Sequence, residues 1–317
     1  MACREALEVE SICSSLVRSN TAPGEAPLDI TYREARAEDL PECVRIFIDS
    51  WTDLNQRHNF ATRPRPKAAR MLAFYQHALT TGIFRVAEAQ GRIRSFACAL
   101  VRDRLWFLSG FWTRPALREQ HIGMPLLRAV WEAGKRAGAT TFFVWSSVDL
   151  PAMAAYMKMG MLPGTQIMRF EGTPAFREAK IAGYKVKPLD KAFATRLDRI
   201  LLGTPRTADH EYLVRMGVQG RQVLRGDLDV GYFYFDGGAI GPVAWNAPRH
   251  AQSMISLACR EAAESSATVT LRVPGMNHAA LNFALNAGLR LTGYSHLFMS
   301  APFGHLEQYL PSGPSVF

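Results

Sequence analysis

The chain has 317 residues, of which 48% are hydrophobic and 21% charged, a composition that excludes a low-complexity or disordered protein. At roughly 100–200 residues per domain, this length favours two domains of ordinary size over one large domain. The net formal charge of +9 divides into −3 over residues 1–29, +9 over 30–180 and +3 over 181–317, which favours an anionic partner for the middle segment.

The first 28 residues end in a stretch rich in Pro, Gly, Ser and Asn, which predicts a flexible leader. They carry glutamates where a signal peptide would be basic and then apolar. No apolar run of the sequence approaches the roughly 18 residues of a membrane helix. We therefore expect a soluble, cytoplasmic protein without a membrane partner. Nucleic acid is not expected as a partner either, because the sequence has no basic helix, zinc knuckle or aromatic RNA-binding signature.

Apolar spacing from Leu28 onwards predicts an α+β pattern. Its elements are a strand at Ile30–Arg33, a helix with Leu40, Val44, Phe47, Ile48 and Trp51 on one face, a helix at Ala68–Leu79, strands at Phe84–Ala89, Ser95–Arg102 and Leu105–Thr113, a helix ending near Arg136, a strand at Thr140–Ser146, a helix at Pro151–Met159 and a further strand. The loop before the second helix is basic, and we call this group the basic loop: Arg57, Arg63, Arg65, Lys67 and Arg70.

The C-terminal segment repeats the end of that order. It has strands at Gly231–Phe235 and Ala239–Trp245, a helix at His250–Ala263, a strand at Thr268–Val273, a helix at Asn277–Ala287 and a strand at Leu291–Ser300. The repetition predicts two copies of one fold. The five cysteines, Cys3, Cys13, Cys43, Cys98 and Cys259, are odd in number and scattered, so they predict neither a disulfide framework nor a metal site.

The segment from Trp112 to Leu127 passes from a strand through a tight loop into a helix. Free backbone N–H groups and the positive end of the helix meet there, as in a pyrophosphate cradle, although an ordinary strand-to-helix connection has the same pattern. Its spacing resembles the Pro-x-x-Arg and Gly-x-Gly-like motif of the GNAT acetyltransferase superfamily. The matching residues are Pro115, Arg118, Ile122 and Gly123.

His121 departs from this motif, because the family normally has glycine there to let the backbone approach the pyrophosphate of CoA. Farther along, Asp149, Ala152, Tyr156, Gly160 and Met161 resemble the family's later motif. The resemblance implies that the tyrosine protonates the leaving CoA thiolate and that pantetheine lies between strands 105–113 and 140–146. A tyrosine that merely anchors the sheet is the structural alternative.

The resemblance assigns a set of residues to the CoA site. They are Phe111, Trp112, Thr113, Arg118, Glu119, Gln120, His121, Ile122, Gly123, Met124 and Asp149. Neither strand beside the gap carries a carboxylate, so Asp49, Asp53, His58 and Glu88 are the candidates for a remote base. Asp53, Arg57 and His58 are also candidates for acceptor binding. The basic loop either contacts an acidic acceptor or acyl carrier protein or is a solvated surface.

The C-terminal copy has no phosphate-binding loop, and Ala284 stands at the tyrosine position. We therefore predict an α+β fold of two GNAT-like modules in tandem, each a mixed sheet flanked by helices. The predicted division is a leader at 1–28, a catalytic domain at 29–172, a linker at 173–182 and a degenerate domain at 183–317.

The resemblance implies transfer of an acetyl or related acyl group from acetyl-CoA or another acyl-CoA to a small-molecule amine by direct attack, without a metal. One alternative keeps the fold but acts on acyl carrier protein thioesters by acyl transfer or decarboxylation. The other is a non-catalytic protein that binds CoA or another ligand.

Overall fold

The computed structural model describes residues 29–58, 65–175 and 181–317. The predicted leader, Arg63 of the basic loop, residues 176–180 of the predicted linker and the first two cysteines lie outside these residues. Cys43, Cys98 and Cys259 are free, buried thiols. Within the described residues, no helix is long and apolar enough to cross a membrane.

The N-terminal half, residues 29–175, follows the predicted order closely. Its strands are β1 (Thr31–Glu34), β2 (Gly82–Ala89), β3 (Arg92–Arg102), β4 (Leu105–Thr113), β5 (Thr141–Ser146) and β6 (Leu162–Gly172). Its helices are α1 (Leu40–Arg57), α2 (Ala68–Thr81), α3 (Gly123–Arg136) and α4 (Leu150–Lys158). A 3-10 turn at Pro115–Gln120 joins β4 to α3.

The C-terminal half, residues 181–317, has elements between 184 and 225 that the sequence patterns above do not name. Its strands are β7 (Tyr184–Pro188), β8 (Gln219–Arg225), β9 (Leu228–Asp236), β10 (Ala239–Trp245), β11 (Val269–Pro274), β12 (Arg290–Met299) and β13 (Tyr309–Leu310). Its helices are α5 (Lys191–Leu202), α6 (Thr207–Arg215), α7 (Ala251–Ala263) and α8 (His278–Asn286). In α5, Ala194, Leu197 and Leu201 are buried at helical spacing, so the signal for that helix was present.

One continuous sheet joins the two halves. Its strand order is β1-β2-β3-β4-β5-β12-β6-β11-β10-β9-β8-β7, with β13 paired to β10. The last long strand of each half is therefore exchanged: β12 of the C-terminal half pairs with β5, and β6 of the N-terminal half pairs with β11. The exchanged strands also pair with each other, from Arg290 opposite Glu171 to Met299 opposite Leu162.

A buried charged cluster links the halves on one face of the sheet. We call it the inter-half cluster, and it contains His77 and Arg102 of the N-terminal half with Arg206 and Asp209 of the C-terminal half. Asp209 accepts from Arg102 Nε at 3.1 Å and from Arg206 Nε at 3.3 Å, and His77 Nε2 lies 3.1 Å from its other oxygen. Buried charges persist only when they are paired in this way.

Replacement of Gly134 tests the packing of α3 on the sheet. A Cβ at this position would lie 2.7 Å from Trp106 Nε1 and 3.2 Å from Phe142 Cε1. Gly134→Ala gains about 1 kcal/mol of helix propensity but overpacks this contact, which costs about 1–3 kcal/mol. We expect a net loss of stability in urea unfolding. A gain would show that helix propensity, and not the indole contact, controls this position.

Candidate active site

The central strands β4 and β5 separate at one end. Their parallel pairing runs from Leu105 opposite Thr141 to Leu108 opposite Val144 and stops there. The register of β3 and β4 also shifts between Gly110 and Leu108, which leaves Ser109 as a bulge. Residues 109–113 therefore form one side of a gap in the middle of the sheet, with backbone groups that no ladder partner on β5 satisfies.

The loop after β4 brings the start of α3 to the mouth of this gap. His121 has a left-handed backbone, with φ of 57° and ψ of 16°, and α3 begins two residues later. The first turn of α3 has no side-chain cap from any described residue, so its N–H groups are available to an anion. A Cβ at Gly123 would lie 2.9 Å from Phe111 Cζ, which explains the glycine at the start of the helix.

Tyr156 lies on α4, and its ring packs near two aromatic rings from different halves. The ring centroid of Phe111 on β4 is 6.3 Å away, and that of Phe298 on the exchanged strand β12 is 6.1 Å away. Only 6% of Tyr156 is exposed, and its hydroxyl has no hydrogen-bond partner among the residues described. Burial, and then the charge of Asp149, raise the pKa of Tyr156, so the phenol stays protonated near neutral pH.

Four of the predicted site residues meet in a chain of ion pairs, which we call the ion chain. Arg118 of the 3-10 turn pairs with Asp53 on α1. Asp53 also accepts from Arg57 Nε at 2.8 Å, and Arg57 Nη2 reaches Asp149 Oδ2 at 3.4 Å. Asp149 precedes α4 but makes no capping hydrogen bond, because its carboxylate points to Arg57 instead. The sequence assigned Arg118 and Asp149 to the CoA site and Asp53 and Arg57 to the acceptor, whereas the structure brings all four together.

The charges of the ion chain fix its protonation state. Burial by itself opposes ionisation of Asp53, but hydrogen bonds and charge from Arg57 and Arg118 outweigh it and lower the pKa of Asp53. The hydrogen bond to Asp53 in turn raises the pKa of Arg57. A carboxylate held ionised between two guanidinium groups is a weak base, so Asp53 suits charge pairing better than proton abstraction.

Of the other predicted base candidates, Glu88 belongs to a different ion pair. Glu88 is on β2, where its carboxylate accepts from Arg33 Nε at 2.7 Å. Asp49 is exposed on α1, and His58 follows the last turn of that helix. Sequence reasoning missed Ser50, a buried residue whose hydroxyl donates to Thr113 O at 2.8 Å, and Phe298, which no pattern in the N-terminal half could indicate.

The described residues of the basic loop do not form one surface. Arg57 belongs to the ion chain, and Arg70 pairs with Asp236 at the end of β9. Arg65 and Lys67 are exposed to solvent. Asp236, in the C-terminal half, therefore neutralises the charge of Arg70, which belongs to the loop predicted to contact the acceptor.

The equivalent gap of the C-terminal half is occupied by the chain itself. β10 pairs with β11 at Ala239 opposite Thr270, and beyond that point β13 pairs with β10 instead, with Val243 opposite Leu310. A Cβ at Gly241 would lie 2.6 Å from Pro311 O, so the segment after β13 also packs closely on β10. Ala284, at the position of Tyr156, is fully buried.

These features agree with a match over residues 40–161, from the start of α1 to the end of α4, to the Acetyltransferase (GNAT) family. This segment of the chain is therefore similar to GNAT acetyltransferases. Enzymes of this family use acyl-CoA and act on amine groups of small molecules or proteins. No curated protein sequence matches the chain.

Solved structures show that most of the chain has a GNAT fold, and one of these structures is a tandem GNAT protein. A protein from Pyrococcus horikoshii assigned as an acetyltransferase superposes with a TM-score of 0.73 at 16% identity, over 95% of this chain and 100% of that one. A tandem GNAT protein from the clavulanic acid biosynthesis pathway has a TM-score of 0.60 at 13% identity, over 86% and 99%. A GCN5-related N-acetyltransferase from Sphaerobacter thermophilus has a TM-score of 0.58 at 14% identity, over 88% and 98%.

The comparisons confirm the predicted resemblance and the predicted α+β fold, a mixed sheet flanked by helices. Residue roles and domain boundaries stay predictions. Within the described ranges, no group of three or more His, Cys, Asp or Glu side chains is placed to hold a metal ion.

Proposed function

We propose that this GNAT protein transfers an acetyl group from acetyl-CoA to the amine of a small molecule, and that the N-terminal half, residues 29–172, is the catalytic module. The observation that carries the proposal is the open gap beyond Leu108 and Val144, with the uncapped start of α3 at its mouth. Residues 183–317 form a second module whose gap is filled by β13. That module shapes the first site and does not bind a second CoA.

The residues of the gap fit acetyl-CoA. Backbone N–H groups at the start of α3, together with Arg118, suit the diphosphate. The unpaired backbone of β4 from Ser109 to Thr113 suits the amides of pantetheine and can polarise the thioester carbonyl. Bound acetyl-CoA supplies the activated acyl group for direct attack by the amine.

Tyr156 is the proposed acid for the departing thiolate. Its raised pKa keeps the proton on the phenol until a strongly basic group develops nearby. For the base, His58 is our candidate, because an imidazole nitrogen can accept a proton, whereas Asp53 and Glu88 are both paired with arginines. His58 is also our candidate for the acceptor side.

The proposal is tested by calorimetric titration of the full chain with acetyl-CoA, CoA and an acyl carrier protein, followed by a thiol-release assay with a panel of amines. Arg118→Ala should weaken CoA binding about tenfold or more, since a charge-assisted contact to phosphate is worth about 1.5–3 kcal/mol. Arg249→Ala is the matched control, because Arg249 is exposed just before α7 in the other half. Equal losses in both variants would contradict a single CoA site in the first half.

Two other titration results would point to the alternative functions. Binding of the carrier protein without binding of CoA would favour the carrier-protein reaction. CoA binding without turnover of any amine would favour a ligand-binding protein.

The effect of His121→Gly separates two roles for the residue that departs from the family motif. A side chain on this left-handed residue crowds the loop where backbone approach to phosphate is needed. We therefore expect His121→Gly to tighten CoA binding severalfold, on the order of 1 kcal/mol, at pH 6 and pH 8 alike. Titration calorimetry at both pH values measures it. Weaker binding of the glycine variant at pH 6 would mean that a protonated imidazole is a phosphate ligand.

A further inference from the structure

We propose that Asp53 competes with the phosphates of CoA for Arg118 and Arg57. The ion chain is then a latch: its contacts cross the cofactor gap while no ligand is bound, and CoA breaks them when it binds. The inference rests on the proposed function, because it requires CoA to enter between β4 and β5. It assigns Arg57 to phosphate binding, a role beyond the acceptor contact predicted for this residue.

The position of the ion chain supports a latch. Arg118 lies in the turn that follows β4, and Asp149 lies after β5 at the start of α4. Asp53 and Arg57, on the last two turns of α1, join them. The chain of contacts therefore connects the two strands beyond the point where their pairing ends. A ligand that enters the gap from this side passes these four side chains.

The charges of the ion chain favour its opening by CoA. The two arginines and two aspartates cancel each other while no ligand is present. The diphosphate and 3′-phosphate of CoA carry several negative charges, which attract both guanidinium groups and repel the ionised carboxylate of Asp53. Its lowered pKa means that Asp53 keeps this negative charge throughout the neutral pH range.

The ion pairs are weak enough to exchange partners. The side chains of Arg57 and Arg118 are 38% and 28% exposed, and that of Asp53 is 31% exposed, so water and salt screen their contacts. Arg118 also has a second anchor, a long contact of 3.5 Å from Nη2 to Ser50 O. It therefore stays near the gap when Asp53 releases it.

A positioning role for Asp53 predicts the opposite result. If Asp53 merely held Arg118 in the orientation that phosphate needs, its removal would weaken CoA binding. If Asp53 competes with phosphate, its removal frees Arg118, leaves Arg57 with Asp149 as its remaining partner, and strengthens CoA binding. The sign of one affinity change therefore decides between the two roles.

The experiment compares CoA with pantetheine, which lacks all the phosphates, by titration calorimetry of the full-length chain. We expect Asp53→Asn to lower the Kd for CoA about 3–10-fold and to leave the Kd for pantetheine unchanged. Arg57→Gln should raise the Kd for CoA by a similar factor, again without an effect on pantetheine. Glu132→Gln, which removes one exposed carboxylate near the far end of α3, is the charge-matched control and should change neither value.

The outcomes separate this inference from the proposed function. If the unaltered chain binds CoA but Asp53→Asn weakens that binding or leaves it unchanged, the latch is overturned and the proposed function stands. Equal shifts for CoA and pantetheine would also overturn it, because they would show a change in the gap and not at the phosphates. Failure of the unaltered chain to bind CoA would overturn the proposed function itself.

Discussion

Tyr156→Phe should lower turnover with acetyl-CoA by about 10²–10⁴-fold, the usual contribution of a positioned proton donor. The affinity for CoA should change little, because the hydroxyl makes no hydrogen bond to another described residue and the ring stays between Phe111 and Phe298. The loss would therefore appear in kcat and not in the Kd of CoA.

The measurement is a thiol-release assay combined with calorimetric titration of CoA. Tyr294→Phe is a matched control, since Tyr294 is a largely exposed tyrosine on β12, the strand that carries Phe298. Unaltered turnover in Tyr156→Phe would contradict the acid role and leave Tyr156 as an anchor of the sheet. Phe298→Leu should lower kcat less than Tyr156→Phe, because it loosens the ring without removing the proton.

Asp209→Asn should destabilise the protein by about 3–5 kcal/mol, because it leaves the charges of Arg102 and Arg206 without their shared carboxylate. Both guanidinium groups are largely buried, so water cannot replace the lost partner. Since the inter-half cluster joins α2 and β3 to α6, we expect both halves to lose stability together. Urea unfolding followed by fluorescence measures the change.

The effect of Asp209→Asn should depend on pH. Burial alone would raise the pKa of Asp209, but His77, Arg102 and Arg206 outweigh it and lower that pKa. Ionised Asp209 therefore contributes fully above its unfolded pKa of about 4, and the contribution is lost as the pH falls through the folded pKa. The difference between the variant and the unaltered chain should shrink below pH 4. Asp229→Asn, which breaks an exposed pair with Lys187, should cost less than about 1 kcal/mol at any pH.

Local patterns predicted the N-terminal half because each of its elements carries its own signal. Apolar spacing in α1 and α3 and alternation in β2 to β4 place those boundaries within a few residues. The exchange of β6 and β12 has no such signal. By local criteria, β6 and β12 would each fit either position in the sheet. Only contacts between residues more than 100 positions apart along the chain determine which strand takes which position.

The part of the candidate site that lies in one motif was predictable from the sequence. The contacts between segments that are distant along the chain were not. The order from Pro115 to Gly123 predicted the loop and the helix that follows it, but not the left-handed backbone of His121. The pairing of Asp53 with Arg118 depends on how α1 crosses the end of β4, which spacing along the chain does not encode. The contact of Phe298 with Tyr156 likewise depends on the strand exchange.

The strand exchange makes the two halves obligate partners, as in a domain-swapped dimer whose subunits happen to share one chain. Produced alone, the N-terminal half would leave the edge of β5 unpaired and present β6 without a neighbour, and an open edge of this kind invites aggregation. In the intact chain, the covalent link keeps each missing strand at a high effective concentration. Cutting this protein at the sequence boundary between its copies would therefore yield two insoluble fragments, whereas co-production of both pieces would restore the sheet.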